Sequence, residues 1–239
     1  MSNLISILSM ISVVLTTNPT TSTKDNYYPS RQSVSQEYLS TSNDYIYSTD
    51  GQLMEIVAND IKNNRFFVKV QNIVLIEIEL KEDDRELPGL GAEIGYLARI
   101  LSSETLTSGK MDNAKRVSMF ARVCVAETIK NRKKSELGFF AKYRTYRDVI
   151  KYTGYATNLV EYYDTQNWLK SPIAFKRFTE EVLPAAIFVF FNNTNFTNNA
   201  IGFYTPAQMR EGRILDFAGV KSYEISGIDP YYEFTFWKF

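Results

Sequence analysis

From residue 92 to about residue 191 the apolar residues recur at the three- and four-residue spacing of amphipathic helices, and any fold of this chain has to bury those stripes. The first helix is predicted from about Ala92 to Thr105, with Ile94, Leu97, Ala98 and Leu101 on one face. The segment "NAKRVSMFARVCVAETIKNRKKS" predicts a second, capped by Asp112 or Asn113, with Ala114, Val117, Ala121, Cys124, Val125 and Thr128 in one stripe. Cys124 is then a small buried hydrophobe, and Glu127, on the opposite face, a solvated charge. The segment "YRDVIKYTGYATNLVEYYDT" reads as a loop with short helical pieces. A further helix follows in "PIAFKRFTEEVLPAAIFVFF", where Pro172 suits a first turn and Pro184 should kink or divide the helix.

The flanks read differently. Residues 1–50 hold an apolar stretch, Leu4 to Leu15, and then a Ser-, Thr-, Asn- and Tyr-rich arm or linker. The stretch is too short for a membrane span of about 20 residues and lacks a basic flank, since the first lysine is Lys24. It is expected to dock on a partner or on the domain; a poorly formed secretory signal is the alternative, and membrane contact by residues 4–15 a weaker one. Residues 50–62 carry Leu53, Ile56, Val57 and Ile61 at helical spacing. "RFFVKVQNIVLIEIEL" alternates as β-structure, with a turn or irregularity at Gln71-Asn72. The charged loop "KEDDRELPGLG" is expected to bound the main domain. "NNTNFTNNAIGFYTPAQM" is a polar loop; Asn192 and Asn195 stand in N-x-T triplets that carry little weight without a convincing secretory signal. The aromatic tail, "YEISGIDPYYEFTFWKF", is expected to be extended, closing the domain or pairing with the strands at 66–80. The expected fold is α+β, mainly helical, divided into an arm (1–50), a helix with a β-segment and charged loop (51–91) and a helical domain with its tail (92–239).

Composition then limits the chemistry. Lys+Arg and Asp+Glu are 27 each, so no net field draws in nucleic acid. There is no His and a single Cys, which removes His-based catalysis, Cys-rich metal sites and intrachain disulfides. No metal and no cofactor is expected. An enzyme built from this chain works with carboxyls, hydroxyls, amides, Lys, Arg or Tyr, and glycoside cleavage needs no more than that. Glu104 stands out because it ends the apolar stripe of the first helix, in "LARILSSETL". Either it pairs with Arg99, Lys110, Arg116 or backbone amides at the edge of the stripe, or it lies in a partly apolar cleft. In the cleft, desolvation keeps it protonated and lets it act as a general acid. Asp148, Glu161 and Asp164 are the other carboxyls near this region, and solvated positions are expected for each.

The order and spacing of Ala98, Arg99, Glu104, Gly109, Asn131 and Arg132, followed by "TEEVLPA" and "AIGFYTPAQ", resembles the bacterial cell-wall hydrolase family that includes the spore-cortex-lytic enzymes. The resemblance spans roughly residues 92–210. It implies a lysozyme-like, mainly helical domain that cleaves peptidoglycan glycan strands as a lytic transglycosylase, with Glu104 as the single acid/base. It also implies action at the cell envelope or periplasm. Tyr204 matches the aromatic of the family's late motif and would hold substrate or hydrogen-bond near Glu104. Tyr155, Thr157 and Asn158 fall where the family has its cleft-lining middle loop. The chain departs from the family after the catalytic Glu, where it has Thr105, Leu106, Thr107 and Ser108, and at Thr205, where the family has Asn. Those departures point to a different glycan, a weaker enzyme or a domain that only binds. With the added arm, the zero net charge and the poor signal sequence they leave an alternative open: a glycan-binding or structural component, active or inactive, of a phage-tail-like or contractile injection assembly, docked through the N-terminal arm.

Overall fold

The computed structural model describes residues 42–61, 63–81, 85–106, 117–136, 140–152, 172–205, 208, 212, 220–228 and 234–238. The chain is α+β. A four-stranded sheet is built from β1 (Asn43–Ser48), β2 (Leu53–Ala58), β3 (Arg65–Val70) and β4 (Val74–Glu77), in the order β2-β1-β3-β4. Helices α1 (Leu90–Leu106), α2 (Met119–Lys134) and α3 (Tyr146–Tyr152) follow. Next come α4 (Pro172–Arg177), a π-turn (Phe178–Val182) and α5 (Leu183–Phe191), which run on without a break. A three-stranded sheet closes the chain: β5 (Gly202–Tyr204), β6 (Lys221–Tyr223) and β7 (Thr235–Lys238), in the order β5-β7-β6. The expected Leu4–Leu15 segment and most of the arm lie outside the described residues. No described helix is long and apolar enough to cross a membrane.

Two elements differ from the sequence expectation. The helix expected over residues 50–62 is strand β2, which pairs antiparallel with β1. Leu53, Ile56 and Val57 fit a helical stripe, but all six residues of β2 are exposed, so neither face of the strand produces the alternation that marks a half-buried strand. The arm expected to reach residue 50 contains β1, whose Tyr45 and Tyr47 point into the core. The β-structure is therefore larger than a single segment. The β3–β4 hairpin agrees with the alternation in the sequence, and its turn residues Gln71 and Asn72 both have positive φ (50° and 60°), the geometry that matches strand twist. The tail forms β7 and pairs with β5 and β6.

One apolar core runs beneath the first sheet and through the helices. Phe66 stacks on Tyr45 (5.4 Å) and meets Phe178 edge-on (5.5 Å), so the inner face of the sheet lies on the α4/π segment. The sheet also approaches α1 closely. A Cβ on Gly95 would stand 1.9 Å from the Glu79 carbonyl oxygen, and one on Gly91 1.9 Å from that of Glu77. Glycine at i and i+4 thus lets the first turns of α1 lie against the chain leaving β4. Glu79 N–H donates to Gly91 O at 3.2 Å across the same contact.

Pro184 follows a π-turn that divides the helix, as the proline led one to expect. Leu183 N–H donates to Phe178 O, the wider π spacing, in the turn just before the proline. In that phase Pro184, which has no N–H, faces the Thr179 carbonyl. The buried Tyr47 hydroxyl donates to Thr179 O at 2.9 Å and satisfies it. Burial drives the Tyr47 phenol pKa well above its ordinary value.

Gly95→Ala should force α1 away from the strand and lower stability by about 1–3 kcal/mol, read as a shift in the urea midpoint at unchanged slope.

Candidate active site at the end of the first helix

Glu104 sits in the last turn of α1, as its stripe predicted. The residues that precede it are inside: Leu97, Ala98, Ile100 and Leu101 are buried, as are Ser102 and Ser103. The Ser103 and Thr105 hydroxyls do not reach for the carboxyl. They donate back to Ile100 O (3.0 Å) and Leu101 O (2.7 Å) within the helix. Among the described residues no hydrogen bond or ion pair reaches the Glu104 carboxyl. Arg99, one expected partner, lies over the Tyr96 ring at 5.7 Å instead; Lys110 and Arg116 lie outside the described residues.

Burial raises the Glu104 pKa from 4.5 to about 7, and the positive charge of Arg132 acts in the opposite direction without offsetting it. Its place at the negative end of the α1 dipole works with the burial. The side chain is still only half-buried, so this is an acid with a route to solvent.

Arg132 belongs to the last turn of α2 and is held from several sides. Its Nε donates to Ile201 O, and its guanidinium lies 5.8 Å from the Phe140 ring centre and 5.9 Å from that of Trp237. Its neighbour Asn131 donates to Ala200 O at 3.0 Å and to the Thr197 hydroxyl at 3.3 Å. The Asn-Arg pair at the end of α2 thus fixes the chain at 197–201, which leads into β5 and Tyr204. Tyr204 stacks on Trp237 (6.2 Å), and the Trp237 indole covers Gly202, where any Cβ would collide with it. Tyr204 is linked to the Glu104 region through Trp237 and Arg132, but it is 3% exposed, so its ring is part of the packing beneath the site and not an open platform. Tyr155, Thr157 and Asn158 lie outside the described residues, as do Gly109, Glu161 and Asp164. Asp148 is no free carboxylate. It is the inner partner of a capping box with Thr145 at the start of α3: its carboxylate accepts from Arg144 N–H and Thr145 N–H (2.9 Å each), while its own N–H donates to the Thr145 hydroxyl (3.0 Å).

α2 carries the largest correction. It starts at Met119, and Ser118 caps it by accepting from Ala121 N–H, so neither Asp112 nor Asn113 has that role. Cys124 is buried as expected. Glu127, expected to be solvated, is 1% exposed. It accepts from the Thr194 hydroxyl (3.0 Å), Phe196 N–H (3.1 Å), Thr197 N–H (3.3 Å) and the Thr197 hydroxyl (3.0 Å). It is the anchor of the Asn-rich loop, and the Thr of the second N-x-T triplet is one of its partners. Asn192 of the first triplet is buried, with its amide donating to Phe188 O (2.9 Å) and Thr49 O (3.3 Å).

The arrangement can supply one proton from a desolvated carboxyl that also feels the positive charge of Arg132. Among the described residues no three His, Cys, Asp or Glu side chains are grouped to hold a metal ion. Comparison of the chain with protein-family models, curated proteins and solved structures gives no match.

Two outcomes are expected. The folded protein holds the Glu104 proton more tightly than the unfolded chain does. Its contribution to stability is therefore complete below about pH 4.5 and lost as the pH rises through about 7. Glu104→Gln should remove that slope and unfold with about 2–3 kcal/mol more stability than wild type at pH 8, measured by urea denaturation at pH 5 and pH 8. Glu127→Gln should cost on the order of 3 kcal/mol, and speed amide exchange at Phe196 and Thr197.

Proposed function

We propose that this chain is a peptidoglycan-cleaving glycosidase of the lytic-transglycosylase type, with a lysozyme-like helical domain and Glu104 as its single acid/base. The observation that carries the reading is the state of Glu104: a carboxyl whose pKa is pushed to about 7 by desolvation, partly exposed, with no hydrogen-bond or ion-pair partner among the described residues. The resemblance of residues 92–210 to the spore-cortex-lytic family supplies the substrate class. The tie from Asn131 and Arg132 to the segment before Tyr204 gives that motif a physical reason for its spacing.

In the proposed reaction, protonated Glu104 donates to the glycosidic oxygen as the C1–O bond breaks. The carboxylate that results is steadied by Arg132 while positive charge develops at C1. It then takes the proton of the sugar's own C6 hydroxyl, whose oxygen attacks C1 and closes a 1,6-anhydro ring. The proton returns to Glu104, and one carboxyl serves both transfers, so neither water nor a second carboxylate is required. Tyr155, Thr157 and Asn158 are proposed to line the cleft, and Tyr204 to support it from below. The site of action would be the cell envelope or periplasm.

Digestion of purified sacculi with mass spectrometry of the fragments tests this. Wild type should release anhydro-muropeptides, and Glu104→Gln should release none. The wild-type rate should fall above about pH 7 as the acid loses its proton. Reducing-end products would make the enzyme a hydrolase. Binding to sacculi without products from either protein would favour the glycan-binding or assembly component.

A further inference from the structure

Strand β2 is an edge of the four-stranded sheet and carries little that would keep another strand away. Its sequence is "LMEIVA", with one charge, Glu55. Leu53 is 39% exposed, Met54 52%, Ile56 53% and Val57 39%, so apolar side chains on both faces meet water. Native edge strands are usually protected by charge, proline or a covering segment. Among the described residues nothing pairs with the outer side of β2. The opposite edge, β4, is shorter, and the chain leaving it is tied to α1.

The direction of the backbone groups is fixed by the pairing with β1. Asn59 N–H donates to Ser42 O at 2.9 Å, and the register places Val57 against Asp44 and Glu55 against Ile46. Inward and outward groups alternate along an antiparallel pair, so Ile56 and Ala58 direct N–H and C=O to the free edge. We propose that the β2 edge is a self-association site: two copies of the chain pair their β2 strands antiparallel about a two-fold axis at Ile56, joining their sheets into one.

Register selects that axis. With the axis at Ile56, the two Ile56 residues exchange both backbone hydrogen bonds, Met54 packs opposite Ala58, and Glu55 lies opposite Val57. Moving the axis to Glu55 sets two carboxylates against each other, which is destabilising. Moving it to Val57 leaves a shorter overlap within the strand. The only charged side chain of β2 therefore avoids its own copy in the longest register that uses the outward groups. The chain as a whole carries no net charge to hold two copies apart. A two-fold contact of this kind also closes on itself and does not propagate into fibres.

Sedimentation of the full chain over a concentration series tests the proposal. Wild type should form a dimer. Ile56→Lys and Ile56→Asp each place like charges at the axis and should weaken dimerisation by at least about tenfold. An equimolar mixture of the two variants should restore a dimer. Val57→Lys sets an ammonium opposite Glu55 of the second copy and should keep or tighten the dimer, provided circular dichroism shows each variant folded. A monomeric wild type, an Ile56→Lys protein that dimerises unchanged, or single variants that fail to recover on mixing would each overturn the assignment. These readings are independent of glycan cleavage.

Discussion

The structure depends on α2 reaching outward to groups that other elements leave unsatisfied. Helix ends and irregular loops expose carbonyls, and in a buried setting each needs a donor. Arg122 donates to Thr105 O (3.0 Å) at the end of α1 and pairs with Glu181 (2.9 Å) from the π-turn. Lys130 donates to Val189 O (2.5 Å), Phe190 O (3.3 Å) and Asn192 O (2.9 Å), closing the end of α5. Asn131 and Arg132 take the carbonyls of Ala200 and Ile201, and Glu127 supplies the opposite need, acceptors for the N–H groups of the 194–197 loop. Desolvation lowers the Lys130 pKa to about 8, a sign of how far inside these charges lie. Each is costly to bury and costly to remove, because removal leaves its partners unpaired in a dry interior.

That arrangement also explains why the candidate site has its electrostatic character. α1 and α2 pack together with Arg122 sealing the end of α1, so the last turn, with Glu104, is pinned against the start of α2. Arg132 is held in place by Ile201 O and two aromatic rings. The carboxyl therefore feels the charge of a held guanidinium while burial, the larger effect, keeps its pKa raised.

Much of this was legible in the sequence where a residue's environment is one-sided. α1 and the α4–α5 segment show their stripes, the β3–β4 hairpin shows its alternation, and Glu104 is conspicuous because it follows the α1 stripe. Legibility fails where both sides of an element meet the same environment. β2 is exposed on both faces, so its apolar residues matched a helical spacing by chance. α2 is buried nearly all round, so the opposite-face rule put Glu127 in solvent. The partners that make Glu127 an internal residue are some 70 positions away, in a loop whose composition reads as surface. Asp148 was legible in type but not in role, since its part in a capping box with Thr145 depends on where the helix starts.

The π-turn makes chain length itself a constraint. A π-turn holds one residue more than an α-helix would use to cover the same distance. Pro184 fits because that extra residue moves the carbonyl it faces, and the Tyr47 hydroxyl from β1 occupies the acceptor so released. Deleting a residue between 178 and 182 would return the helix to ordinary pitch and drive the proline ring into a carbonyl. Replacing the proline alone would leave a surplus residue with nothing to justify it, and a tyrosine competing for a carbonyl that a backbone N–H now wants. Insertion, proline and tyrosine form a three-part lock, spread over more than 130 positions of sequence, in which no part can be exchanged singly without loosening the other two.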